Sequence, residues 1–308
     1  MKKYRIEEYL IVMNRSFMAQ RKKLLVTGVS GLLGYQVYLA AQKDWEVFGT
    51  YLNHATDLNN LYRIDLTNEN SLVELFNQIH PDAVIHCAAA ANPNYCEDHI
   101  DEAFNINVRT NEILAALCRE RGSRLLFTST DLVFDGSNGP YAETNPLNPI
   151  NIYGEQKVLA EERIRHFHPQ ATICRLALMF GLHPSKDTTL THLIHDLSND
   201  ISVTLFTDEI RSTISFTEAA RALLIMLDHP GEIVHVGSAQ GVSRYDFGLT
   251  VADVFGLNKE LILPAKQADV QMPAKRPADL TFNTEKQNRL GFLPQSLLQQ
   301  IEMLKHSR

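Results

Sequence analysis

Tyr153 and Lys157 stand four positions apart on a helical sequence pattern that begins after Pro149. Residues at this spacing project from one face of a helix, so the two side chains are neighbours. A lysine ammonium favours phenolate over phenol, and we therefore expect Lys157 to lower the pKa of Tyr153 from about 10 towards the working pH. A tyrosine tuned in this way can protonate a carbonyl oxygen during hydride transfer. The pair alone is weak evidence, because this chain contains ten tyrosines.

Hydroxyl-bearing residues follow a buried strand that is predicted over residues 124–129. Ser129, Thr130 and Asp131 end this strand, and ligand sites in open α/β sheets lie at the carboxyl ends of strands. A Thr130 hydroxyl there can hydrogen-bond the same carbonyl oxygen that Tyr153 protonates. The alternative is that Ser129 and Thr130 only complete the hydrogen bonding of the strand end.

Three glycines, Gly28, Gly31 and Gly34, have the spacing G-x-x-G-x-x-G between the first predicted strand and the first predicted helix. Glycine at these places permits a tight turn and lets the backbone approach a pyrophosphate. The free N–H groups of the helix N-terminus then face the phosphate charge. The strand before the loop and the helix after it favour dinucleotide binding over a simple turn.

The end of the second predicted strand bears on the choice between NAD and NADP. Residues 48–54 read FGTYLNH and contain no Asp or Glu where a carboxylate usually binds the ribose 2′-hydroxyl of NAD. No Arg replaces it, so NADP(H) is preferred and NAD(H) is possible. Asp65 follows a third strand-like run and can accept a hydrogen bond from an adenine amino group. Alternatively, it is an acid near the start of the helix that follows Asn68.

Strands that alternate with helices must position these residues. Apolar runs predict buried strands over 23–27, 46–51, 83–87, 124–129, 171–176 and 232–236. Helical patterns lie near 68–79, 101–121, 151–167, 188–198, 217–228, 243–255 and 295–304. This order predicts an α/β fold with a doubly wound parallel sheet of Rossmann type and a smaller α/β substrate-binding portion.

The predicted division of the chain follows from where this alternation is regular. Residues 1–20 precede the first strand and are interpreted as an N-terminal extension. The dinucleotide-binding domain is predicted over 21–176, because the pattern becomes less regular beyond Gly181. Residues 177–308 are predicted to form mainly the substrate-binding portion, with a segment over about 205–240 that returns to the first domain.

Composition disfavours several classes of partner. Lys and Arg number 29 against 36 Asp and Glu, a formal net charge of −7, which disfavours a broad nucleic-acid surface. The four cysteines form no C-x-x-C pair and indicate a reducing, cytoplasmic compartment. We expect no membrane and no metal partner, because no apolar run suits a signal or a membrane span and the histidines lack ligand spacing.

Several of these motifs together resemble the extended short-chain dehydrogenase/reductase family. The similarity rests on residues 27–34, 86–90, Asn107, 129–136 and 153–157. Within the family, STDLVFDG at 129–136, followed by PYAE at 140–143, is most similar to dTDP-4-dehydrorhamnose reductases. The resemblance covers about residues 22–292. It implies an oxidoreductase that uses NADPH to reduce a nucleotide-linked 4-keto-6-deoxy sugar, and it is compatible with a homodimer.

The resemblance implies roles for individual residues. Tyr153 is the implied proton donor, Lys157 its modulator and a ligand of the nicotinamide ribose, and Thr130 the hydroxyl that positions the carbonyl. The implied substrate contacts are Asp131 and Arg276, although a surface ion pair is an equally good interpretation of Arg276. The implied cofactor contacts, besides Tyr153 and Lys157, are Gly28, Ser30, Gly31, Leu32, Leu33 and Gly34 in the loop, Asp65 and Leu66 near the adenine, Ala88 and Ala89 beside the phosphates or ribose, and Asn107 in the central helix.

Three departures from the family pattern limit what can be transferred. Gln156 stands where Ser or Thr often precedes the lysine, and we expect it to be a group on the helix surface. Leu132 follows Asp131 where related dehydratases carry Glu, which disfavours dehydration. The loop at residues 92–97, NPNYCE, differs from the one common in the rhamnose-pathway reductases, so the identity of the sugar stays open.

A second subgroup fits the same residues. The sequence Arg276-Pro277 and the short amphipathic helix after it also resemble the regulatory β subunit of methionine adenosyltransferase, which keeps a nucleotide site but binds a partner protein. The presence of Thr130, Tyr153 and Lys157 does not decide the matter, because the last two also bind the cofactor ribose. A non-catalytic, cofactor-binding regulatory subunit is therefore the alternative to an active reductase.

Overall fold

Short apolar runs form the strands of the central sheet. The computed structural model describes residues 21–306, so the extension assigned to residues 1–20 lies outside the described residues. Four of the five residues of β1 are buried, as is typical of a parallel strand with helices on both faces. The strands are β1 Lys23–Thr27, β2 Glu46–Tyr51, β3 Leu61–Arg63, β4 Ala83–His86, β5 Arg124–Thr130, β6 Thr172–Leu176, β7 Leu178–Phe180, β8 Val203–Phe206, β9 Ile210–Arg211, β10 Thr213–Ser215, β11 Ile233–Val236, β12 Val242–Ser243, β13 Ile262–Ala265 and β14 Asp279–Leu280.

Helices connect most of these strands, and side-chain caps fix where several of them begin. Asn68 accepts a hydrogen bond from the Ser71 N–H at 3.1 Å, and Asn151 accepts one from the Gly154 N–H at 2.9 Å. The helices are α1 Leu32–Ala41, α2 Glu69–Ile79, α3 Pro93–Asp98, α4 Ile100–Phe104, α5 Thr110–Arg121, α6 Ile152–Phe167, α7 Thr189–Ser198, α8 Phe216–Met226, α9 Arg244–Phe255, α10 Glu285–Arg289 and α11 Leu297–His306. A π-helical turn, Asn105–Arg109, joins α4 to α5, so the helix predicted over 101–121 is interrupted.

Seven strands form one parallel sheet in the order β11-β6-β5-β4-β1-β2-β3. The register places Thr27 opposite His86 and His86 opposite Phe127, so the ends of three strands meet at one edge. The direction of strand order reverses between β1 and β4, and open α/β sheets bind ligands in the crevice at such a switch point. The doubly wound parallel fold predicted from the sequence is confirmed.

Helices cover both faces of this sheet. On one face α1 and α8 pack together over Leu24 and Val26. On the other face α2, α5 and α6 cover Leu25 and Phe127. Because alternate residues of β1 enter different cores, the strand is apolar throughout its length.

The chain beyond β6 builds a smaller portion with a core of its own. Helices α7, α9 and α11 bury Leu193, Val251 and Ile301 around the ladder of β8 and β13. Two further ladders, β10 with β7 and β12-β9-β14, connect it to the sheet, while β11 returns to the sheet beside β6. The sequence did not predict strands β7 to β10 and β12 to β14, because two to four residues are too few to show alternation. The domain boundary at 176/177 stays a prediction.

Candidate active site

The glycine-rich loop between β1 and α1 packs closely against the segment that follows β4. Gly28 has a φ of +72°, and a Cβ atom there would lie 2.9 Å from the Ala88 Cα atom. A Cβ atom at Gly34 would collide with the Gly28 carbonyl oxygen. Neither position accommodates a side chain, and the loop can therefore bring the first turn of α1 to the carboxyl edge of the sheet.

The first turn of α1 presents backbone N–H groups at this edge. Gly31 precedes the helix and supplies no side-chain cap, so the amides of Leu32, Leu33 and Gly34 have no acceptor within the helix. The Leu33 side chain is buried in the core and Leu32 packs against that core. These two residues can therefore contribute to a ligand only through their backbone, in the manner suited to a phosphate group.

A cavity of about 270 Å³ opens between the glycine-rich loop and the ends of β2, β3 and β4. Tyr51 and Leu52 at the end of β2, His86 in β4 and Lys186 in the loop before α7 contribute to its wall. Sequence analysis missed Lys186, which is distant in the chain from every other lining residue. The predicted contacts that line the cavity are Gly28, Ser30, Gly31, Asp65, Leu66, Ala88 and Ala89.

The contacts of Asp65 fit both of its interpretations, an acid near the start of α2 and an adenine contact. One oxygen of its carboxylate accepts hydrogen bonds from the Thr67 N–H at 2.9 Å and the Thr67 hydroxyl at 2.7 Å. Asn68, rather than Asp65, caps α2. The Asp65 carboxylate lines the cavity, where it is available to an adenine amino group.

His86 carries a buried donor next to this cavity. The Thr27 hydroxyl oxygen accepts the N–H groups of Cys87 and Ala88 at 3.2 and 3.3 Å, so its own proton points to His86 Nδ1 at 2.7 Å. Burial, followed by the charge of Lys157, lowers the pKa of His86 to about 3. The ring is therefore neutral with its proton on Nε2, and this atom has no hydrogen-bond partner among the described residues. An orphaned donor at the cavity fits a ligand with oxygen acceptors.

Asn107 connects three segments from the π-helical turn. Its side chain accepts from the Ala90 N–H at 2.9 Å, donates to the Ala90 carbonyl at 3.1 Å and donates to Gln156 Oε1 at 2.9 Å. It does not line the cavity; it supports the segment containing Ala88 and Ala89. The expectation that Gln156 lies on the helix surface is wrong, because Gln156 is buried and also donates to the Ile100 carbonyl at 3.1 Å.

Thr130, Tyr153 and Lys157 form a buried group at the end of β5. Helix α6 begins close to the 3-10 turn Asp131–Val133, since a Cβ atom at Gly154 would collide with the Leu132 carbonyl oxygen. Tyr153 and Lys157 are 7% and 1% exposed. Thr130 accepts the Leu132 N–H at 3.2 Å and donates to Asp131 Oδ1 at 3.1 Å. Thr130 therefore completes the hydrogen bonding of the strand end, and its hydroxyl also lies close to the Tyr153 phenol.

The electrostatics of this group differ from the sequence-based expectation. The pKa of Tyr153 is raised, mainly by burial and further by the Asp131 carboxylate, while a hydrogen bond with Thr130 opposes the shift. Burial also lowers the pKa of Lys157 to about 7, with the Glu161 carboxylate acting in the opposite direction. The expected lowering of the Tyr153 pKa is wrong, because removal of the phenol from water is the largest cause of its shift and Lys157 does not contribute to it.

Arg211 is a buried guanidinium next to Asp131, the residue that follows β5. Its Nη1 is 3.8 Å from Asp131 Oδ2 and has no hydrogen-bond partner in residues 21–306, while its Nε donates to Glu209 Oε1 at 3.2 Å. The pKa of Asp131 is raised by burial, against the effect of Arg211. A buried guanidinium with an unpaired N–H next to Asp131 suits an anionic substrate group. Arg211 was not predicted as a site residue, because it is far from Asp131 and Tyr153 in the sequence.

Arg276 lies on the other side of this cluster. Its Nη2 donates to Asn94 Oδ1 at 2.9 Å and its Nη1 donates to the Ala274 carbonyl at 3.0 Å. Burial lowers its pKa, and the charges of Glu209 and Arg211 also act on it. The surface ion pair considered for Arg276 is not found in the described chain, because its partners are neutral oxygens. Asn94 lies on α3, the short helix formed by the segment that was expected to be a loop at residues 92–97, so this segment borders the cluster.

A buried ion pair anchors helix α6, which carries Tyr153 and Lys157, to the sheet. Glu161, one turn after Lys157 on α6, pairs with Arg175 of β6 at 2.8 Å and accepts the Ser129 hydroxyl at 2.5 Å. Both charged side chains are nearly inaccessible, at 4% and 3% exposed. This pair fixes α6 against β5 and β6 and therefore fixes Tyr153 relative to Thr130.

No group of three or more His, Cys, Asp or Glu side chains in residues 21–306 could hold a metal ion. No helix in the same range has the length and apolar character needed to cross a membrane.

Curated proteins related to this chain include both a regulatory subunit and a reductase. The chain is 28% identical over 285 residues to methionine adenosyltransferase 2 subunit beta of Danio rerio, which covers 89% of this chain and 87% of that protein. It is 32% identical over 259 residues to the probable low-salt glycan biosynthesis reductase Agl14 of Haloferax volcanii, with 82% and 86% covered.

Solved structures share the fold along nearly the whole chain. A dTDP-4-dehydrorhamnose reductase from Clostridium acetobutylicum has a TM-score of 0.82 at 26% identity and covers 92% of this chain and 99% of its own. A second from Bacillus anthracis, in complex with NADP, has a TM-score of 0.85 at 21% identity, with 94% and 100% covered. The resemblance to these reductases and to the extended short-chain dehydrogenase/reductase family is confirmed. Residues 22–305 match the RmlD substrate binding domain, and the chain belongs to that family.

Proposed function

We propose that the protein is an NADPH-dependent reductase of a nucleotide-linked 4-keto-6-deoxy sugar. The observation that carries the proposal is the buried group of Thr130, Tyr153 and Lys157 at the end of β5, adjacent to a cavity bordered by a glycine-rich loop. The dTDP-4-dehydrorhamnose reductases that share the fold support the substrate class. NADP bound to one of them supports the preference for NADP(H), with NAD(H) possible.

The residues at the cavity fit a nicotinamide dinucleotide. The amides of the first turn of α1 would bind the pyrophosphate, Asp65 and Leu66 would contact the adenine, and Ala88 and Ala89 would lie beside the ribose or phosphates. The unpaired His86 Nε2–H is a further donor at this wall. When bound, the reduced cofactor supplies the hydride that is added to the carbonyl carbon.

Tyr153 is suited to the role of general acid because burial keeps its phenol protonated. Hydride addition to a ketone produces an alkoxide, which is a much stronger base than a phenolate. A tyrosine with a raised pKa can therefore still transfer its proton to the alkoxide, and it cannot lose that proton beforehand at neutral pH. The Thr130 hydroxyl donates its single proton to Asp131 in the free protein, and it would turn that proton to the substrate carbonyl oxygen to hold it near the phenol.

The charged cluster beyond Tyr153 would bind the substrate. Arg211 pairs with Glu209 at 3.2 Å, and the charge of the same carboxylate also acts on Arg276 and Arg244. Guanidinium groups match phosphate oxygens in charge and geometry. A nucleotide-linked sugar would place its diphosphate against these arginines and its keto group against Tyr153, with Asp131 available to a sugar hydroxyl.

The test is NADPH oxidation with a panel of nucleotide-linked 4-keto sugars. Tyr153→Phe should lower turnover by about 10² to 10⁴-fold while NADPH binding is kept. Tyr62→Phe, a substitution in β3 away from the cluster, serves as the matched control and should leave turnover unchanged. Full activity of Tyr153→Phe, or no turnover of any member of the panel by the wild type, would contradict the proposal.

A regulatory subunit is the second candidate function. The observation that favours it is the similarity to methionine adenosyltransferase 2 subunit beta, which extends over 89% of this chain. Affinity capture from the native cell separates the two functions. Stoichiometric recovery with a methionine adenosyltransferase, without NADPH oxidation, would support the regulatory function, whereas turnover by the isolated protein would support the reductase. A homodimer and a cytoplasmic location also stay predictions.

A further inference from the structure

The end of β2 is the place where dinucleotide-binding sheets meet the 2′-position of the adenosine ribose. Tyr51 and Leu52 line the cavity here, and residues 48–54 include no Asp or Glu. A carboxylate at this place would accept a hydrogen bond from a 2′-hydroxyl and would repel a 2′-phosphate. Another group must therefore recognise the ribose substituent.

Arg63, on the neighbouring strand β3, stands beside this position. The two strands are parallel, and the register places Arg63 opposite Tyr51. Side chains alternate between the faces of a strand. The Tyr62 ring faces Phe48, with 6.4 Å between ring centroids, so Arg63 projects from the opposite face, which is the face covered by α1. The glycine-rich loop precedes α1 on this same side of the sheet.

One hydrogen bond orients the Arg63 guanidinium. Its Nε donates to the Leu52 carbonyl at 3.1 Å, and the side chain is otherwise exposed. A guanidinium has five N–H donors, so four remain on the terminal nitrogens. None of the ion pairs in residues 21–306 involves Arg63. The guanidinium is thus held beside Leu52, a residue that lines the cavity, and its terminal nitrogens are available to phosphate oxygens.

Lys186 is the other cation at the cavity, and its position differs. Its loop contacts α1 through the His183 and Tyr35 rings, whose centroids are 4.6 Å apart. Tyr35 lies in the first turn of α1, where the pyrophosphate is expected. Lys186 is therefore placed to act on a group that NADPH and NADH have in common.

We propose that Arg63 selects NADP(H) over NAD(H) by binding the 2′-phosphate of the adenosine ribose. This inference rests on the proposed function, because it requires that the cavity hold a nicotinamide dinucleotide. The selecting cation comes from β3, next to the end of β2, rather than from the loop that follows β2.

Calorimetric titration of the full chain with NADPH and with NADH tests the inference without any substrate. Arg63→Gln should weaken NADPH binding by roughly 10- to 100-fold, the effect of losing a charge-assisted hydrogen bond or two, and should leave NADH binding nearly unchanged. Arg63→Lys should restore part of the NADPH affinity as a point charge. Lys186→Gln is the matched control and should weaken both cofactors by similar factors.

Three results would overturn the inference. These are unchanged NADPH affinity in Arg63→Gln, an equal loss for both cofactors in that variant, or a loss in Lys186→Gln that is confined to NADPH. If the wild type binds neither cofactor, the proposed function fails together with the inference. If the wild type binds NADPH and only the Arg63 variants behave unexpectedly, the proposed function stands and the inference alone fails.

Discussion

Glu161→Gln should lower the free energy of unfolding strongly, because it removes one charge of a buried ion pair. The substitution keeps the shape of the side chain but removes its charge, and it leaves the buried Arg175 cation with neutral partners alone. These are the new amide oxygen, the Glu143 carbonyl at 3.2 Å and the His235 ring at 3.4 Å. Loss of one partner of a buried ion pair typically costs about 3–5 kcal/mol, because the other charge stays uncompensated. This is a large part of the roughly 5–15 kcal/mol that stabilises a typical domain.

A surface pair on the same helix provides the matched control. Arg163 of α6 meets Glu112 at 3.1 Å, with 49% and 31% of the side chains exposed. Glu112→Gln should cost less than about 1 kcal/mol, because solvent screens such a pair. Both variants make the same chemical change, from a carboxylate to an amide, so their difference isolates the effect of burial.

Urea unfolding at pH 7, followed by circular dichroism, measures both free energies. Replacing both buried charges, Glu161→Leu with Arg175→Met, should cost less than Glu161→Gln alone, because no unpaired charge is then left in the core. A loss below about 1 kcal/mol for Glu161→Gln, or a loss equal to that of Glu112→Gln, would refute the reasoning.

Three further predictions follow from the site. Gly28→Ala should lower the free energy of unfolding more than Gly122→Ala. Both glycines have a φ near +70°, but only at Gly28 would the new Cβ atom collide with a neighbouring backbone. Equal losses in urea unfolding would contradict this. The folded pKa of Lys157 is lowered from 10.5 to about 7, so the wild type should gain stability as the pH rises between these values, by up to roughly 1.4 kcal/mol per pH unit. Lys157→Met should remove this dependence of stability on pH, and its gain in stability over the wild type should be largest at about pH 6. Identical pH dependences in the two proteins would refute the lowered pKa of Lys157. Asn107→Ala should cost about 1–3 kcal/mol, because it leaves the Ala90 N–H and the Gln156 amide oxygen without their partner. A loss under about 0.5 kcal/mol in the same assay would contradict this.

The local pattern of the chain was sufficient to predict the main elements. Strands β1 and β2 and helix α7 have the predicted bounds to within a residue, because apolar periodicity and flanking glycines or caps act over a few neighbouring residues. The glycine spacing before α1 and the Tyr-x-x-x-Lys spacing on α6 are local in the same sense. These signals placed the glycine-rich loop at the edge of the sheet where the cavity lies. The assignment of Tyr153 as the acid stays a prediction.

Tertiary structure decided what depends on burial and on contacts between distant segments. The Tyr153 pKa moves in the opposite direction to the prediction, because desolvation depends on everything packed around the phenol. Gln156 is buried because Asn107, 49 positions earlier, meets it from the π-helical turn. Arg211 reaches Asp131 only because β9 lies near the end of β5 in the folded chain. Spacing along a sequence carries no information on such encounters, since parallel strands join residues that are separated by whole helices.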